Sequence, residues 1–281
     1  MKNNKDIRIN SANQTLQIIE NKQYQVQGKA VDLASEITYS ISNARLYTSE
    51  MLENLLLKID KDITNENKET SIYVENCTSM QAAEQFISAG KTGCLNFASA
   101  KNAGGGFMSG AQAQEECLAR ASTLYPTLVQ FQKDMYDYNR SRNTYLYSDR
   151  MIYSPVVSFF KDDENHLLPK PYNMDIVTSP AVNIGAMHQN NKFDEVPLVE
   201  KVMMNRIDKI LGLFYANGVN NLILGAWGCG VFRNESKDVA RYFAHFIRNG
   251  GKYSKCFDNI IFAVYDSGKK QENISAFQDV F

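Results

Sequence analysis

The sequence predicts an α/β domain in which a mixed, largely parallel sheet lies between layers of helices. Short apolar runs alternate with helical patterns from about residue 71 to the C-terminus, which is typical of parallel strands joined by crossover helices. Two of the runs, Thr92–Phe97 and Asn221–Trp227, lead into glycine-rich loops. Because ligands bind beyond the carboxyl ends of strands in such sheets, both loops are candidate binding sites.

The first 65 residues predict a mainly helical extension that packs on the core, and residues 66–281 form the α/β domain. The first ten residues are polar, and we expect them to be frayed. The elements predicted next are a helix from Ser11, a hairpin over Tyr24–Leu33, a helix over Tyr47–Leu57 and a charged linker over Lys58–Thr70. The hairpin would turn at Gly28.

The α/β domain is predicted from alternating periodicities. Its strands are Ser71–Cys77, Thr92–Phe97, Met151–Phe160, Met174–Asn183, Asn221–Trp227 and Asp258–Asp266. Its helices are Ser79–Gly90, Gln112–Phe131, Val196–Gly218 and Lys237–Asn249. Pro155 indicates an edge strand or a bulged strand. The segment Gln132–Arg150, rich in Tyr, Asn, Asp and Arg, is expected to be a surface loop.

Composition excludes several classes of partner. The 281-residue chain has 44% hydrophobic residues and a net charge of −1, so no overall field would draw it to nucleic acid or to an anionic membrane. No apolar run approaches the roughly 18 residues of a membrane-spanning helix, and the N-terminal sequence lacks the apolar segment of a signal peptide. We expect a cytoplasmic monomer that binds neither nucleic acid nor a membrane.

The cysteines and histidines predict neither a disulfide framework nor a metal site. The cysteines are five in number and lie far apart, at Cys77, Cys94, Cys117, Cys229 and Cys256. An odd number without any C-x-x-C pair indicates reduced, mostly buried thiols. The three histidines show no ligand spacing, and we expect no metal ion and no other cofactor.

The first glycine-rich loop contains Gly104, Gly105 and Gly106, and Gln114-Glu115-Glu116 follows it. Consecutive glycines lose the most backbone entropy on folding, so such a loop needs positive φ angles or the close approach of a ligand. Carboxylates in the first turns of a helix favour its positive end. Taken alone, the Glu-Glu pair is therefore explained by helix capping.

Gly-Gly-Gly, seven residues and Gln-Glu-Glu resemble the signature of microbial-type poly(ADP-ribose) glycohydrolases. The segments that resemble this family, in its order, are LNFASAKNAGGGF, AQEECLARASTLYP, DRMIYSPVV, IVTSPAVN and LGAWGCGVFRN. The resemblance extends from about Leu95 to the C-terminus. It implies a macrodomain-like α/β/α fold of three layers. It also implies hydrolysis of the ribose–ribose O-glycosidic bonds of poly(ADP-ribose), which releases ADP-ribose without a metal or a cofactor.

The resemblance implies that Glu116 is the catalytic acid/base and that Glu115 orients a ribose hydroxyl. Neighbours on a helix lie about 100° apart, so the two carboxylates cannot flank one bond as they do in most glycosidases. One acid must therefore suffice, and Glu116 would protonate the leaving oxygen and then activate water. The diphosphate of ADP-ribose would stabilise the oxocarbenium-like centre.

The second loop, Gly225–Asn234, has three glycines in six residues before a helix, which suits a diphosphate held by backbone N–H groups. The predicted substrate-binding residues are Asn96, Ser99, Gly104, Gly105, Gly106, Phe107, Gln114, Gly228, Cys229, Gly230, Val231 and Phe232. Phe232 would pack on the distal ribose or belong to the core, and Phe107 would line the pocket or anchor its loop. A bulky residue at Gly228 or Gly230 would weaken binding far more than stability.

Two other functions remain open at this point. The enzyme could remove single ADP-ribose units from modified proteins or other acceptors, or the domain could bind ADP-ribose without turnover. The intact pair Glu115-Glu116 argues against pure binding, because a binding module needs neither carboxylate. The partners expected in all three cases are ADP-ribose, poly(ADP-ribose) or ADP-ribosylated proteins.

Overall fold

A seven-stranded sheet forms the centre of the computed structural model, which describes residues 4–63 and 69–281. The strands are β1 (Gln23–Val26), β2 (Lys29–Asp32), β3 (Arg45–Tyr47), β4 (Ser71–Glu75), β5 (Thr92–Phe97), β6 (Met151–Lys161), β7 (Leu167–Ser179), β8 (Asn221–Leu224) and β9 (Asn259–Ala263). Their order in the sheet is β3-β6-β7-β5-β8-β9-β4, and β1 and β2 form a separate hairpin. Strands β7, β5, β8, β9 and β4 are parallel, whereas β6 is antiparallel to both neighbours.

Helices cover both faces of this sheet. They are α1 (Asn4–Asn21), α2 (Ala34–Asn43), α3 (Ser49–Asp62), α4 (Ser79–Phe86), α5 (Gln114–Ala121), α6 (Leu124–Val129), α7 (Tyr138–Ser141), α8 (Ile184–Gln189), α9 (Val199–Ala216), α10 (Ser236–Ile247) and α11 (Glu272–Gln278). Helices α3, α9, α10 and α11 share one core cluster with Leu95, and α4, α5 and α6 share another with Cys94. Adjacent strand residues point to opposite faces, so the predicted α/β/α fold with a mixed, largely parallel sheet is confirmed.

The strand order brings the two glycine-rich loops together. Strands β5 and β8 are parallel neighbours, and Cys94 is paired with Ile223. Both loops therefore leave the carboxyl edge of the sheet side by side. The end of β7 lies at the same edge, since Ala98 N donates a hydrogen bond of 3.3 Å to Ser179 O.

The N-terminal part is more regular than predicted. Helix α1 begins at Asn4, so the expectation of frayed residues is wrong for residues 4–10, while residues 1–3 lie outside the described ranges. The turn of the β1–β2 hairpin at Gly28 is confirmed, with φ +73°. Helix α2 and strand β3 were not predicted, and β3 joins the central sheet beside β6.

The predicted linker begins too early. Helix α3 continues to Asp62 with Ile59 buried, so the charged residues from Lys58 to Asp62 are helical. The proposed domain boundary between residues 65 and 66 falls within residues 64–68, outside the described ranges. The division into an extension and a domain stays a prediction.

Two further segments differ from the prediction. The helix expected over Gln112–Phe131 is divided, because Ser122 is extended and bridges to Phe159 of β6. The expected surface loop Gln132–Arg150 begins with a π-helical segment and α7, and it buries several side chains, Tyr147 among them. Strand β6 is interior and carries a bulge between Ser154 and Val157, next to Pro155. Among the helices of the described ranges, none combines the length and the apolar character of a membrane crossing.

Candidate active site

The backbone conformation of the loop after β5 and its contacts with other residues explain why this loop requires glycine. Gly104 and Gly105 have φ angles of +68° and +59°, which is the left-handed region that glycine enters at no steric cost. A Cβ at Gly105 would lie 2.2 Å from Glu116 Oε1 and 3.0 Å from Glu115 Oε2. The loop backbone therefore lies directly against both carboxylates at the start of α5.

Glu115 is buried, with 3% of its surface exposed. Its Oε2 accepts a hydrogen bond of 2.6 Å from Ser99 N, and its Oε1 accepts one of 3.3 Å from Asn96 Nδ2. Burial raises the pKa of Glu115 to about 8, and these hydrogen bonds oppose the shift while the charge of Glu116 adds to it. Loss of hydration disfavours the carboxylate, so burial favours the protonated form of Glu115.

Glu116 is partly exposed, and both of its oxygens are held by the backbone. Oε1 accepts a hydrogen bond from Gly106 N and Oε2 accepts one from Ala113 N, each of 2.9 Å. Each oxygen keeps lone-pair capacity beyond its single N–H donor. Glu116 is thus a fixed carboxylate that a ligand between the loops can approach.

Gln114 was predicted to bind substrate, but its side chain is hydrogen-bonded to the protein. Its Oε1 accepts a hydrogen bond from Phe97 N (2.9 Å), and its Nε2 donates to Leu95 O (2.8 Å) and Ser79 Oγ (3.1 Å). Both ends of the amide are engaged by the protein rather than turned to a substrate. Gln114 fastens the start of α5 to the end of β5, which sets the direction of the two glutamates.

Asn96 also serves the protein rather than a ligand. The residue is completely buried, and its Nδ2 donates to Glu115 Oε1 and to Thr178 Oγ1. Ser99 holds Glu115 through its backbone N–H, while its hydroxyl accepts hydrogen bonds from the N–H groups of Lys101 and Asn102. The predicted ribose contact of Asn96 is therefore corrected to a role in holding Glu115, because burial leaves its side chain no ligand-facing surface.

Phe107 anchors the glycine-rich loop. Only 1% of the residue is exposed, and its ring lies 4.9 Å from that of Tyr125 between centroids. Ala12 of α1 and Ala119 of α5 complete this apolar cluster. The sequence left two roles open for Phe107, lining the pocket or anchoring its loop. Because the ring packs against α1 and α5, Phe107 anchors the loop and does not line the pocket.

In the loop after β8, the space available for a side chain differs between Gly228 and Gly230. A Cβ at Gly228, where φ is +79°, would lie 2.5 Å from Ala181 Cβ and 2.6 Å from Asn234 Nδ2. A Cβ at Gly230 would meet no atom within 4 Å. Gly228 is therefore required by packing, which corrects the expectation that its replacement would spare stability. The backbone at Gly230 is open to a ligand.

The other candidate residues of this loop differ in how much of their surface is exposed. Val231 is 82% exposed, and Phe232 is partly buried, with its ring 6.1 Å from that of Tyr147 between centroids. Phe232 packs against the main core cluster, in agreement with the core alternative, while its contact with the distal ribose stays a prediction. Burial raises the pKa of the Cys229 thiol to about 12, which keeps the thiol neutral and unsuited to nucleophilic attack.

A tyrosine-containing segment links the two loops, and the sequence interpretation missed it. Lys101 Nζ of the first loop lies 5.5 Å from the ring centroid of Tyr145 and 6.0 Å from that of Tyr147. Tyr147 also contacts Phe232 of the second loop and accepts a hydrogen bond from Asn183 Nδ2. The Tyr-x-Tyr spacing was visible, but only the fold places it beside both loops.

Outside the loops, the described residues hold one group with the geometry for a metal ion. The oxygens or ring nitrogen of Asp162, Glu164 and His166 lie within 4.8 Å of one another in the exposed β6–β7 turn. His166 Nδ1 lies 3.1 Å from Asp162 Oδ2, so two members are already paired with each other. Of the five cysteines, only Cys94 is fully buried, which corrects the expectation of mostly buried thiols.

Comparisons with known proteins show the family of this chain. A family profile described as "Microbial-type PARG, catalytic domain" matches residues 12–162, from α1 through β6. The structure is similar to the poly(ADP-ribose) glycohydrolase (PARG) of Thermomonospora curvata, with 36% identity over 98% of this chain and 100% of that chain and a TM-score of 0.91. The structure of that enzyme bound to the inhibitor ADP-HPD matches over the same shares with 36% identity and a TM-score of 0.89.

The PARG of Deinococcus radiodurans in complex with ADP-ribose is similar as well, with 34% identity over 92% of this chain and 98% of that chain and a TM-score of 0.81. No curated protein matches the sequence. The likeness thus covers the full fold, including the loops that hold Glu115 and Glu116. The chain belongs to the family of microbial-type poly(ADP-ribose) glycohydrolases.

Proposed function

We propose that this protein hydrolyses the ribose–ribose O-glycosidic bonds of poly(ADP-ribose) and releases ADP-ribose. The observation that carries the proposal is the placement of Glu116, a partly exposed carboxylate held by Gly106 N and Ala113 N. Glu116 lies next to Glu115 in the first turn of α5, directly against the glycine-rich loop at the carboxyl edge of the sheet. Family membership supplies the reaction class, and the geometry supplies the acid.

In the proposed mechanism, the protonated carboxyl of Glu116 gives its proton to the glycosidic oxygen as the bond from ribose C1 to that oxygen breaks. The resulting carboxylate then takes a proton from water while the water oxygen bonds to C1. ADP-ribose leaves with a hydroxyl at C1, and the acid form of Glu116 is restored. Microscopic reversibility allows one residue to serve as acid and then as base.

Glu115 has the supporting role in this mechanism. Its two oxygens accept hydrogen bonds from Asn96 Nδ2 and Ser99 N, and it is less exposed than Glu116. In its protonated form the carboxyl is able to donate a hydrogen bond to a ribose hydroxyl. Glu115 therefore orients the sugar, whereas Glu116 transfers the proton.

We place the ADP-ribose moiety across the two loops. Its diphosphate would lie against the backbone of the second loop near Gly230, which has open space in front of it, and Phe232 would pack on the distal ribose beside Tyr147. Binding of ADP-ribose, though not its position, is supported by the ADP-ribose complex of the similar protein from Deinococcus radiodurans. Cys229 and Val231 would contribute backbone N–H groups rather than side-chain chemistry.

The test is incubation of the protein with poly(ADP-ribosyl)ated and mono(ADP-ribosyl)ated proteins, followed by detection of free ADP-ribose. Release from polymer and not from single units is expected, with equal rates in the presence of a chelator. Release only from single units would replace the proposal by the mono-ADP-ribosyl hydrolase alternative. ADP-ribose binding without release from either substrate would indicate a binding module.

A further inference from the structure

Helix α1 contacts the glycine-rich loop across a long separation in sequence. Arg8 Nε donates a hydrogen bond of 2.7 Å to Gly110 O, and Arg8 Nη1 donates one of 2.8 Å to Gln112 Oε1. From α5, Arg120 Nη1 donates one of 2.7 Å to Ala111 O. Two guanidinium groups from different helices therefore hold the carbonyl oxygens of two consecutive loop residues.

The held residues lie between the two N–H groups that fix Glu116. Gly106 N and Ala113 N each bind one carboxylate oxygen of Glu116, and Gly110 and Ala111 belong to the segment that joins them. Ala111 N also donates a hydrogen bond of 3.1 Å to Gly106 O. A shift of the Gly110 carbonyl would thus be transmitted directly to both donors of the carboxylate.

The contact between α1 and the loop is close as well as polar. A Cβ at Gly110, where φ is +76°, would lie 2.8 Å from Lys5 O and 3.0 Å from Ile9 Cγ1. One turn further along α1, Ala12 packs against Phe107 of the same loop. The first half of α1 therefore packs directly against the glycine-rich loop.

We propose that Arg8 is a positioning residue for the hydrolysis, acting through Gly110 on the backbone donors that orient Glu116. This inference rests on the proposed role of Glu116. Arg8 touches neither the carboxylate nor the space between the loops, so its effect is on the placement of the acid. Its guanidinium makes two charge-assisted hydrogen bonds in fixed relative directions, which a lysine ammonium cannot reproduce together.

The experiment compares Arg8→Gln, Arg8→Lys and the matched control Gln17→Ala, whose side chain is exposed on the same helix. Arg8→Gln is expected to lower kcat by up to about 100-fold, the loss that a small misplacement of a catalytic group produces. The KM for poly(ADP-ribose), the affinity for ADP-ribose and Tm should stay near wild type. Arg8→Lys should recover part of kcat, and Gln17→Ala should match wild type.

A second readout separates positioning from simple stabilisation of α1. If Arg8 acts through Glu116, the residual activity of Glu116→Gln should not fall further when Arg8→Gln is added, because coupled residues are not additive. An unchanged kcat in folded Arg8→Gln, or additive losses in the double variant, would overturn the inference. If Glu116→Gln itself retains full activity, the proposed acid role of Glu116 fails instead, and the two failures are distinguishable. Should Arg8→Gln not fold, Arg8→Lys gives the same comparison with the charge retained.

Discussion

The carboxylate of Glu116 occupies the space in which a side chain at Gly105 would begin, since a Cβ there would lie 2.2 Å from Glu116 Oε1. The atom in conflict is the carboxylate oxygen that accepts the N–H of Gly106. This relationship explains the glycine by the space that the Glu116 carboxylate occupies. Close approach of a ligand is not required to account for it.

Gly105→Ala should therefore lower turnover as well as stability. The added methyl group displaces Glu116 Oε1 from its donor, and a misplaced acid of this kind loses about 100-fold in rate. Alanine at positive φ costs about 1–3 kcal/mol of stability. The matched control is Gly218→Ala, where φ is +67° and no atom lies within 4 Å. Equal kcat values for the two variants, measured with their Tm, would contradict the assigned contact.

Glu116→Gln should separate chemistry from binding. The variant loses the transferable proton, and general acid–base catalysis contributes about 10²–10⁴-fold. Binding of ADP-ribose should persist or improve, because a carboxylate near a diphosphate is removed. Glu115→Gln should weaken binding together with rate, since its role is orientation. Calorimetry and ADP-ribose release on both variants make the comparison, and near wild-type turnover of Glu116→Gln would defeat the mechanism.

Gly230→Val and Gly228→Val should fail in different ways. The valine at position 230 meets no protein atom, whereas the one at position 228 collides with Ala181 and Asn234. Gly230→Val should keep its Tm and lose at least about tenfold in affinity for ADP-ribose, equivalent to about 1.4 kcal/mol. Gly228→Val should lower Tm, because overpacking costs about 1–3 kcal/mol. Unchanged affinity of folded Gly230→Val would remove this loop from the binding site.

Glu115 should make the protein less stable as pH rises. Its pKa is raised from 4.5 to about 8 on folding, so the folded state binds the proton more tightly than the unfolded state. The resulting stabilisation is complete below about pH 4.5 and disappears as pH rises through 8. Glu115→Gln lacks this dependence, and its Tm relative to wild type should increase between pH 5 and pH 8.5. A constant Tm difference would show that Glu115 is ionised in the folded protein.

The Glu115→Gln variant has a structural means of staying folded. Asn96 Oδ1 is buried without a hydrogen-bond partner among the described residues. Rotation of the Asn96 amide would present this oxygen to the NH₂ group that the substitution introduces. The amide at position 115 then has an acceptor, but Asn96 Nδ2 moves to the buried side that lacks a partner, so part of the stability is lost.

Lys161 should make the protein more stable as pH rises, in contrast to Glu115. Its ammonium group is buried, donates to Ser11 O, Ser11 Oγ and Thr15 Oγ1, and has its pKa lowered by burial and by Arg120 to about 7. The unfolded state binds the proton more tightly, so stability rises as pH increases from about 7 to 10.5. Lys161→Met should flatten this rise in Tm measured between pH 7 and 9.5. A parallel rise in wild type and variant would assign it to other groups.

Sequence periodicity determined the class of fold and the position of both loops. The alternation of apolar runs with helical patterns is a local property, and it was sufficient to predict β5, β8, α9 and α10. The resemblance of the Gly-Gly-Gly and Gln-Glu-Glu segments to the family selected Glu115 and Glu116 as the residues of interest. Each of these features depends only on residues that are neighbours in the chain, so it can be recognised without the tertiary structure.

The tertiary structure decided which polar side chains are buried with partners inside the protein and which stay partly exposed. Asn96 and Gln114 lie in the same family segments as Glu116, yet packing of α5 on β5 directs both to internal partners. Arg8 reaches Gly110 across a separation of 102 residues, and no local pattern encodes that contact. Burial and hydrogen-bond partners depend on elements that meet only after folding, so they follow from the assembled core and not from the order of residues.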